Sequence, residues 1–491
     1  MRSLLGRFHR PNSRSQSEQL FMLNNLGDGS TLSLDFTTGV LDPRLTFTRA
    51  GGGTYVGPDG YIYGIDSATS SSLAIGTGSK SVTLTATADV NRRFEVGQKV
   101  YFSNGANNMS GLVTAYSPST QVITINATST SGSGSFTSWF VGNASARFDY
   151  DPSTLTPRGL LIEASANNLA ANSNLQAAWL GGSNTTVTAN TSEVASPDGT
   201  NNAAKIALTN TGYCSRFESI TGLANATTYT FSYWIRGTAG NQQRVYSVTQ
   251  GIDLVTQSNL TYTTTGWTRV QIQFTSGAAS NNVYIYVASR PSGTVNDVIY
   301  VYGCQLEVGT GASSLIPTGA STGNRAADSF VMTGTNFSSW FAGATEGVLY
   351  AEFEKPRSQS GTIGHDHSAV GSRYASGNGF NVYAGYNNYY PTTLLWPTGG
   401  AIFPGGIASA IPSVTKQAGK WFGGNDATNF ANGVQGTTSA GTGTLTPTML
   451  SIGANSATGT EATRDWLNAC VRRVKFWPTA LPDSQIISIT T

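Results

Sequence analysis

The sequence predicts an all-β, multi-domain chain, in which a small inserted β module accompanies two antiparallel β-sandwiches of jelly-roll, lectin-like type. Three observations predict it. Charged residues make up only 11% of the chain and glycine is abundant at 57, whereas about 25% charged is usual for a soluble protein. Apolar residues recur at every second position in short runs broken by Gly, Pro, Asn and Asp, which is the pattern of strands and turns. At 491 residues the chain also exceeds what one hydrophobic core spans, so it divides into several units.

The same composition narrows the function. Lys plus Arg number 28 against 26 for Asp plus Glu, so no global field draws the chain to nucleic acid or to an acidic membrane. No run of about 18 apolar residues offers a membrane span, and the apolar part of MRSLLGRFHRPNSRSQSEQL is too short for a secretory signal core. Neither a nucleic-acid partner nor membrane insertion is expected. Cys214, Cys304 and Cys470 are odd in number and far apart, which suits a reducing cytoplasm and suggests neither a disulfide framework nor a zinc cluster.

In chain order, residues 1–30 form a basic arm whose first twenty residues set Arg2, Arg7, Arg10 and Arg14 against a single Glu18. The arginines suit carboxylates on a partner surface, where bidentate pairing gives both geometry and strength. Residues 31–66 and 143–172 form a base β segment, carrying TYVGPDGYIYGID and RFDYDPSTLTPRGLLIEASANNL. Residues 67–142 interrupt it as an inserted module of about five short strands, among them SVTLTATA, FEVGQKVYF, GLVTAY and QVITI. Because the flanks read on when the module is skipped, its ends are expected to lie close together.

Residues 173–318 carry YTFSYWIRG, GWTRVQIQFTSG, NNVYIYVAS and VIYVYGCQLEVG, the regularly spaced strands of a two-sheet sandwich. At a period of two, Tyr300, Tyr302, Cys304, Leu306 and Val308 fall on one side of the last strand. That makes Cys304 a core residue, and no histidine stands near it to activate a thiolate. Trp179, Trp234 and Trp267 are assigned to the same core. Residues 319–491 form the second sandwich, with GVLYAEFEK, MLSIGA and LNACVRRVKFWP as strands and LPDSQIISIT as at most a single helical turn.

In this order the segments resemble virion proteins of tailed bacteriophages, of the tail fibre or spike type. In that class a base segment precedes a carbohydrate-binding-module-like sandwich ending in a strand like GCQLEVGTGASSLIPT. A concanavalin-like or laminin-G-like sandwich follows, ending like LNACVRRVKFWPTALPDSQI. The insert, with FEVGQKV, MSGLVTAYSPST and GSGSFTSW, is similar to a module shared by many phage tail-fibre proteins. The resemblance implies a structural virion protein, a tail fibre or tail appendage that binds host surface glycans for adsorption. It implies a homotrimer made in the host cytoplasm, with the arm docking on tail or portal adaptor proteins. A capsid-decorating fibre, a collar protein and a tailspike depolymerase remain as alternatives, because these modules occur on all of them.

Four places offer candidate chemistry. Glu352 and Glu354 share one face of a strand, as the carboxylate pair of a glycosidase must. Phe353 stands where concanavalin-like glycanases carry a middle acid, so the pair is read as a solvent-facing polar strand, and no catalytic residue and no enzyme activity are assigned. His365, Asp366 and His367 in GTIGHDHSAVG fall short of a full ligand set and are read as an exposed turn or strand end. Asn425, Asp426 and Asn429 offer oxygen ligands but equally suit turns; no metal and no cofactor are assigned. The strongest binding candidate is GFNVYAGYNNYYPTTLLWPTGG, with Tyr383, Tyr386, Tyr389, Tyr390 and Trp396 among Asn, Gly and Pro. Such rings either stack on the C–H faces of sugars or fill a core or a subunit interface. On the first alternative, residues 325–491 carry the outward binding face.

Overall fold

The computed structural model describes residues 28–49, 53–84, 94, 96–104, 107–117, 119–143, 145–174, 179, 181–258, 260–278, 281–292, 294–319, 321–355, 367–372, 379–386, 390–397, 400–402, 404, 407, 412–424, 426–454 and 466–491. They form an all-β molecule of antiparallel sheets with two short α-helices among the described residues. Arg2, Arg7, Arg10 and Arg14 lie outside the described residues.

The segment read as an insert is a closed barrel of six strands, running from Ile65–Ala74 through to Ser135–Asn143. Val82, Val100, Phe102, Met109, Ile123, Ile125, Trp139 and Val141 fill it. Closure leaves no free edge, and side chains rather than a channel occupy a barrel this narrow. The sixth strand is Ile65–Ala74, whose serines and threonines carry too little apolar alternation to be read as a strand from sequence. It pairs with Ser135–Asn143 so that Ile65 stands opposite Gly142, which sets entry and exit side by side.

The first sandwich stacks two five-stranded sheets. One holds Gly181–Ser183, Cys214–Leu223, Asn281–Arg290, Gln243–Ser247 and Ile252–Gln257, and the other holds Thr185–Thr188, Ala204–Leu208, Val298–Val308, Thr228–Gly237 and Thr268–Thr275. Phe231, Tyr233 and Ile235 meet Val283, Ile285 and Val287 between the sheets. Cys304 is in this core and fully buried, and burial pushes its thiol well above the ordinary range, with the Glu218 carboxylate adding to the effect. The period-two reading of its strand fails at Gly303. That residue has φ +64°, and the pairing with Thr228–Gly237 slips between Ser232 and Trp234. The bulge moves one residue across the sheet. Ile299 and Val301 therefore join Cys304 and Leu306 in the core, while Tyr302 packs on the opposite side with Leu315.

The base is not a separate unit. Leu32–Asp35 and Pro157–Ile162 pair directly with Ala469–Trp477, and Phe148–Tyr150 extends the same sheet of the second sandwich. Thr46–Thr48 pairs with Ser329–Thr333 in the facing sheet. An open sheet leaves unpaired N–H and C=O groups at its edge, and these early segments cover them. Leu32, Leu34, Phe36, Leu160 and Ile162 share one core with Phe330, Phe353, Phe380, Trp421 and Phe476. The tail is longer than one turn. Asp483–Thr490 is an α-helix, held because Ile486 is buried against Val348, Tyr350, Phe430 and Trp477.

A buried ionic knot joins the base, the first sandwich and the second. Arg147 bonds Glu163 at 2.7 Å and also Asp328, while Arg49 bonds Asp328 at 2.7 Å. All of these side chains are buried. Ser314, at the end of the first sandwich, donates its N–H and hydroxyl to Glu163 at 2.8 and 2.6 Å. Burial drives the Arg49 guanidinium down to about 10. Burial disfavours the Arg147 cation too, but the carboxylates of Asp328 and Glu163 outweigh it and raise that group. Glu163, which stands alone in sequence, is thus a structural partner.

Candidate functional site: an aromatic platform on the first sandwich

The strand NNVYIYVAS alternates cleanly. Val283, Ile285 and Val287 face the core, which turns Tyr284 and Tyr286 to the outer face of the sheet. Sheet pairing brings further rings to the same face: Phe217 lies opposite Tyr286, and Tyr246 lies opposite Tyr284. The ring centroids of Phe217 and Tyr284 are 4.3 Å apart, those of Phe217 and Tyr286 4.9 Å, and Tyr246 stacks on Tyr284 at 6.1 Å. Phe217, Tyr246 and Tyr284 are half-buried, and none of these four rings belongs to the core between the sheets. They form a continuous aromatic rib across three strands.

Gly181 on the neighbouring strand makes room for it. A Cβ there would lie 2.2 Å from the Phe217 ring, so a larger residue would push the ring off the sheet. One edge of the rib is polar. The Arg244 guanidinium lies 4.8 Å from the Tyr286 centroid and 5.3 Å from that of Tyr246, within the range of cation–π attraction. It donates to Asp253 at 2.6 Å and to the Tyr213 hydroxyl at 2.8 Å. Burial opposes the Arg244 cation, but the bond to Asp253 prevails and raises it. Burial likewise pushes the Tyr286 phenol up to about 12, so both groups keep their charge states throughout the physiological range. Tyr213 is 40% exposed.

The chemistry available is that of a saccharide platform. Rings such as Phe217, Tyr284 and Tyr246 can stack on the apolar C–H face of a sugar, and Arg244, Asp253 and Tyr213 can serve as donors and acceptors for hydroxyls. Sequence alone carries only half of this signal, in the alternation of NNVYIYVAS. The other half, from Phe217 and Tyr246, exists only once the strands pair.

The residues singled out from sequence fare differently. Tyr383 is 1% exposed and belongs to the interior, with its hydroxyl accepting from Asn381 at 3.2 Å, so its ring offers no face to a ligand. Tyr386 and Tyr390 pair across two strands of the second sandwich, but their side chains, that of Trp396 and all of Tyr389 lie outside the described residues. Trp179 is in the core, whereas Trp234 and Trp267 are only partly buried and lie outside it, because the alternation that buries Tyr233 and Ile235 turns Trp234 outward. Glu352 and Glu354 do not face solvent as a bare polar strand: Glu352 is buried against Arg473 at 3.0 Å, and Glu354 pairs with Arg158. His367 is buried, its Nδ1 at 2.9 Å from the Trp466 carbonyl, and Asn429 is buried among hydrogen bonds to Thr393, Gln417 and Pro391. His365, Asp366 and Asn425 lie outside the described residues. Among the described residues no cluster of His, Cys, Asp and Glu suits a metal ion, and no helix is long and apolar enough to cross a membrane.

Comparison with known proteins points to the same domain. Residues 167–294, which contain every residue of the platform, match the carbohydrate binding domain family. No curated protein matches the chain. Among solved structures it is similar to the CBM40 module of the Ruminococcus gnavus IT-sialidase, at 15% identity over 30% of this chain and 84% of that one, with a TM-score of 0.25. It is similar to the C-terminal CBM6 of a marine laminarinase from Zobellia galactanivorans, at 14% identity over 28% and 98%, with a TM-score of 0.18. The N-terminal CBM22 tandem of a Paenibacillus barcinonensis protein aligns at 9% identity over 65% and 100%, with a TM-score of 0.22. At these scores the alignments add nothing to the family match, which by itself supports carbohydrate binding.

Proposed function

We propose that this chain is a non-enzymatic, glycan-binding protein of a tailed-phage virion, a tail fibre or short tail appendage that holds the host surface through the platform of the first sandwich. The observation that carries the reading is the rib Phe217, Tyr284 and Tyr246, flanked by Arg244 and Asp253, inside the stretch matching the carbohydrate binding domain family. The order of base, barrel insert and two sandwiches, with its resemblance to phage appendages, supports the virion part. In this reading the arm bearing Arg2, Arg7, Arg10 and Arg14 docks on a tail or portal protein. A homotrimer presents three platforms, since several weak sites displayed together gain about 10²- to 10⁴-fold in avidity. Commitment of Glu352 and Glu354 to arginines is consistent with binding without hydrolysis.

Labelled protein added to cells of the phage's host tests this directly. It should bind, lose binding after periodate oxidation of the surface sugars, and release no reducing ends from isolated surface polysaccharide. Binding that survives periodate and complete removal of surface polysaccharide would overturn the reading.

A further inference from the structure

The other sheet of the first sandwich also carries rings and cations on its outer face, and there they line a cavity. Trp234 and Arg236 alternate with the core residues Tyr233 and Ile235 along Thr228–Gly237, and Arg269 stands directly opposite Trp234 on the next strand. Against this face lie Tyr55, Tyr61 and Pro152 of the base and the 266–268 corner with Trp267. The open cleft between them has a volume of about 770 Å³, within the range of about 300–1,000 Å³ typical of small-ligand sites. Trp267 is held at its edge, donating Nε1–H to the Ala195 carbonyl at 2.8 Å, and it remains half-exposed.

One cation in this cavity, Arg236, stands apart from the others. Asp149, the acid in its lining, is engaged by Arg158 at 2.7 Å and by the Val56 N–H at 2.7 Å. Arg158 is bound by Glu354 as well, so that cluster is neutralised from within. Arg236 has no ion pair among the described residues. Its guanidinium lies 6.0 Å from the Trp267 centroid and donates to the Thr264 carbonyl at 2.8 Å, while its buried Nε has no hydrogen-bond partner among the described residues. Arg269 packs 4.3 Å from the Trp234 centroid and donates to the Ser313 carbonyl at 2.7 Å, which fixes the Trp234 side of the cleft. A cation held at a ring without a counter-carboxylate, in a pocket of ligand size, suits a ligand that brings its own anion and a flat apolar face.

We infer that this cleft is a second saccharide site, separate from the platform, and that it takes sugars bearing a carboxylate, with Trp267 stacking on the ring and Arg236 binding the carboxylate. The two sites lie on opposite sheets, so the inference does not depend on the platform.

Calorimetric titration of the full chain tests it, with tetragalacturonate and 3′-sialyllactose as probes and each probe's carboxyl-reduced form as control. At least one acidic probe should bind, and reduction of its carboxyl should weaken binding tenfold or more. Arg236→Gln and Trp267→Ala should each weaken it by a similar factor at unchanged melting temperature, Arg236→Lys should restore part of it, and the platform variant Phe217→Ala/Tyr284→Ala should leave it intact. The two probes distinguish a uronate from a nonulosonate ligand. Should Trp267→Ala fail to fold, Arg236→Gln decides alone. The inference fails if neither acidic probe binds at millimolar concentration or if Arg236→Gln leaves binding unchanged. Loss of binding in the platform variant alone would also overturn it, while leaving the proposed function standing.

Discussion

Asp28 ties the first described residues to the second sandwich through a bond from Lys475 at 2.6 Å and bonds from the Ser30 N–H and hydroxyl. Partial burial works against its carboxylate, but Lys475 and Ser30 outweigh this and hold it down from 3.8 to about 2. A folded-state value below the unfolded one means that the stabilisation is complete above the ordinary carboxylate range and is lost as pH falls from about 4 towards 2. Asp28→Asn should therefore lower the melting temperature at pH 6, and that difference should shrink steeply between pH 4 and pH 2; a difference constant over this range contradicts the assignment. The role of Cys304 was legible from residue type alone, because an apolar strand without a neighbouring histidine leaves little for a thiol to do but pack. All three cysteines are buried, and none is in a disulfide. The role of Tyr383 was not legible, since an aromatic among Asn and Gly reads alike whether its strand face is open or covered.

Individual strands were legible wherever apolar residues alternate, as in Phe231, Tyr233, Ile235 or Val283, Ile285, Val287. What alternation hides is a change of parity within a strand, and Gly303 supplies one. Its φ of +64° is in the left-handed region, and a Cβ there would stand 2.9 Å from the Trp234 ring and 3.1 Å from Leu315. Gly303→Val should cost about 1–3 kcal/mol, read as a lower denaturant midpoint of the first sandwich; an unchanged midpoint would show that the bulge tolerates a side chain. The platform escaped sequence reading for a related reason. Tyr284 and Tyr286 advertise an aromatic face, but Phe217 and Tyr246 are remote in sequence and join them only through register. The space under Phe217 depends on the missing side chain of Gly181.

At the scale of the whole molecule, composition sufficed for an all-β chain, but not for the fate of the base. Segments more than 300 residues apart, such as Leu32–Asp35 and Ala469–Trp477, pair edge to edge, and nothing local announces a partner that distant. The barrel is the converse case, since all its pairings fall between Ile65 and Asn143. Directly opposed residues in antiparallel strands are about 4.5–5.5 Å apart, so replacing residues 65–143 with a short Gly–Ser link should leave both sandwiches folded. Retention of their melting transitions checks this, and an insoluble product contradicts it. The central claim, that the first sandwich binds glycans through its outer aromatic rib, is tested most directly on a glycan array probed with the native chain and with Phe217→Ala/Tyr284→Ala. Native protein should bind a defined set of glycans, and the double variant, with melting temperature within a few degrees of native, should lose that set tenfold or more except for any acidic glycans bound at the cleft. Undiminished binding of neutral glycans by the folded double variant would contradict the account.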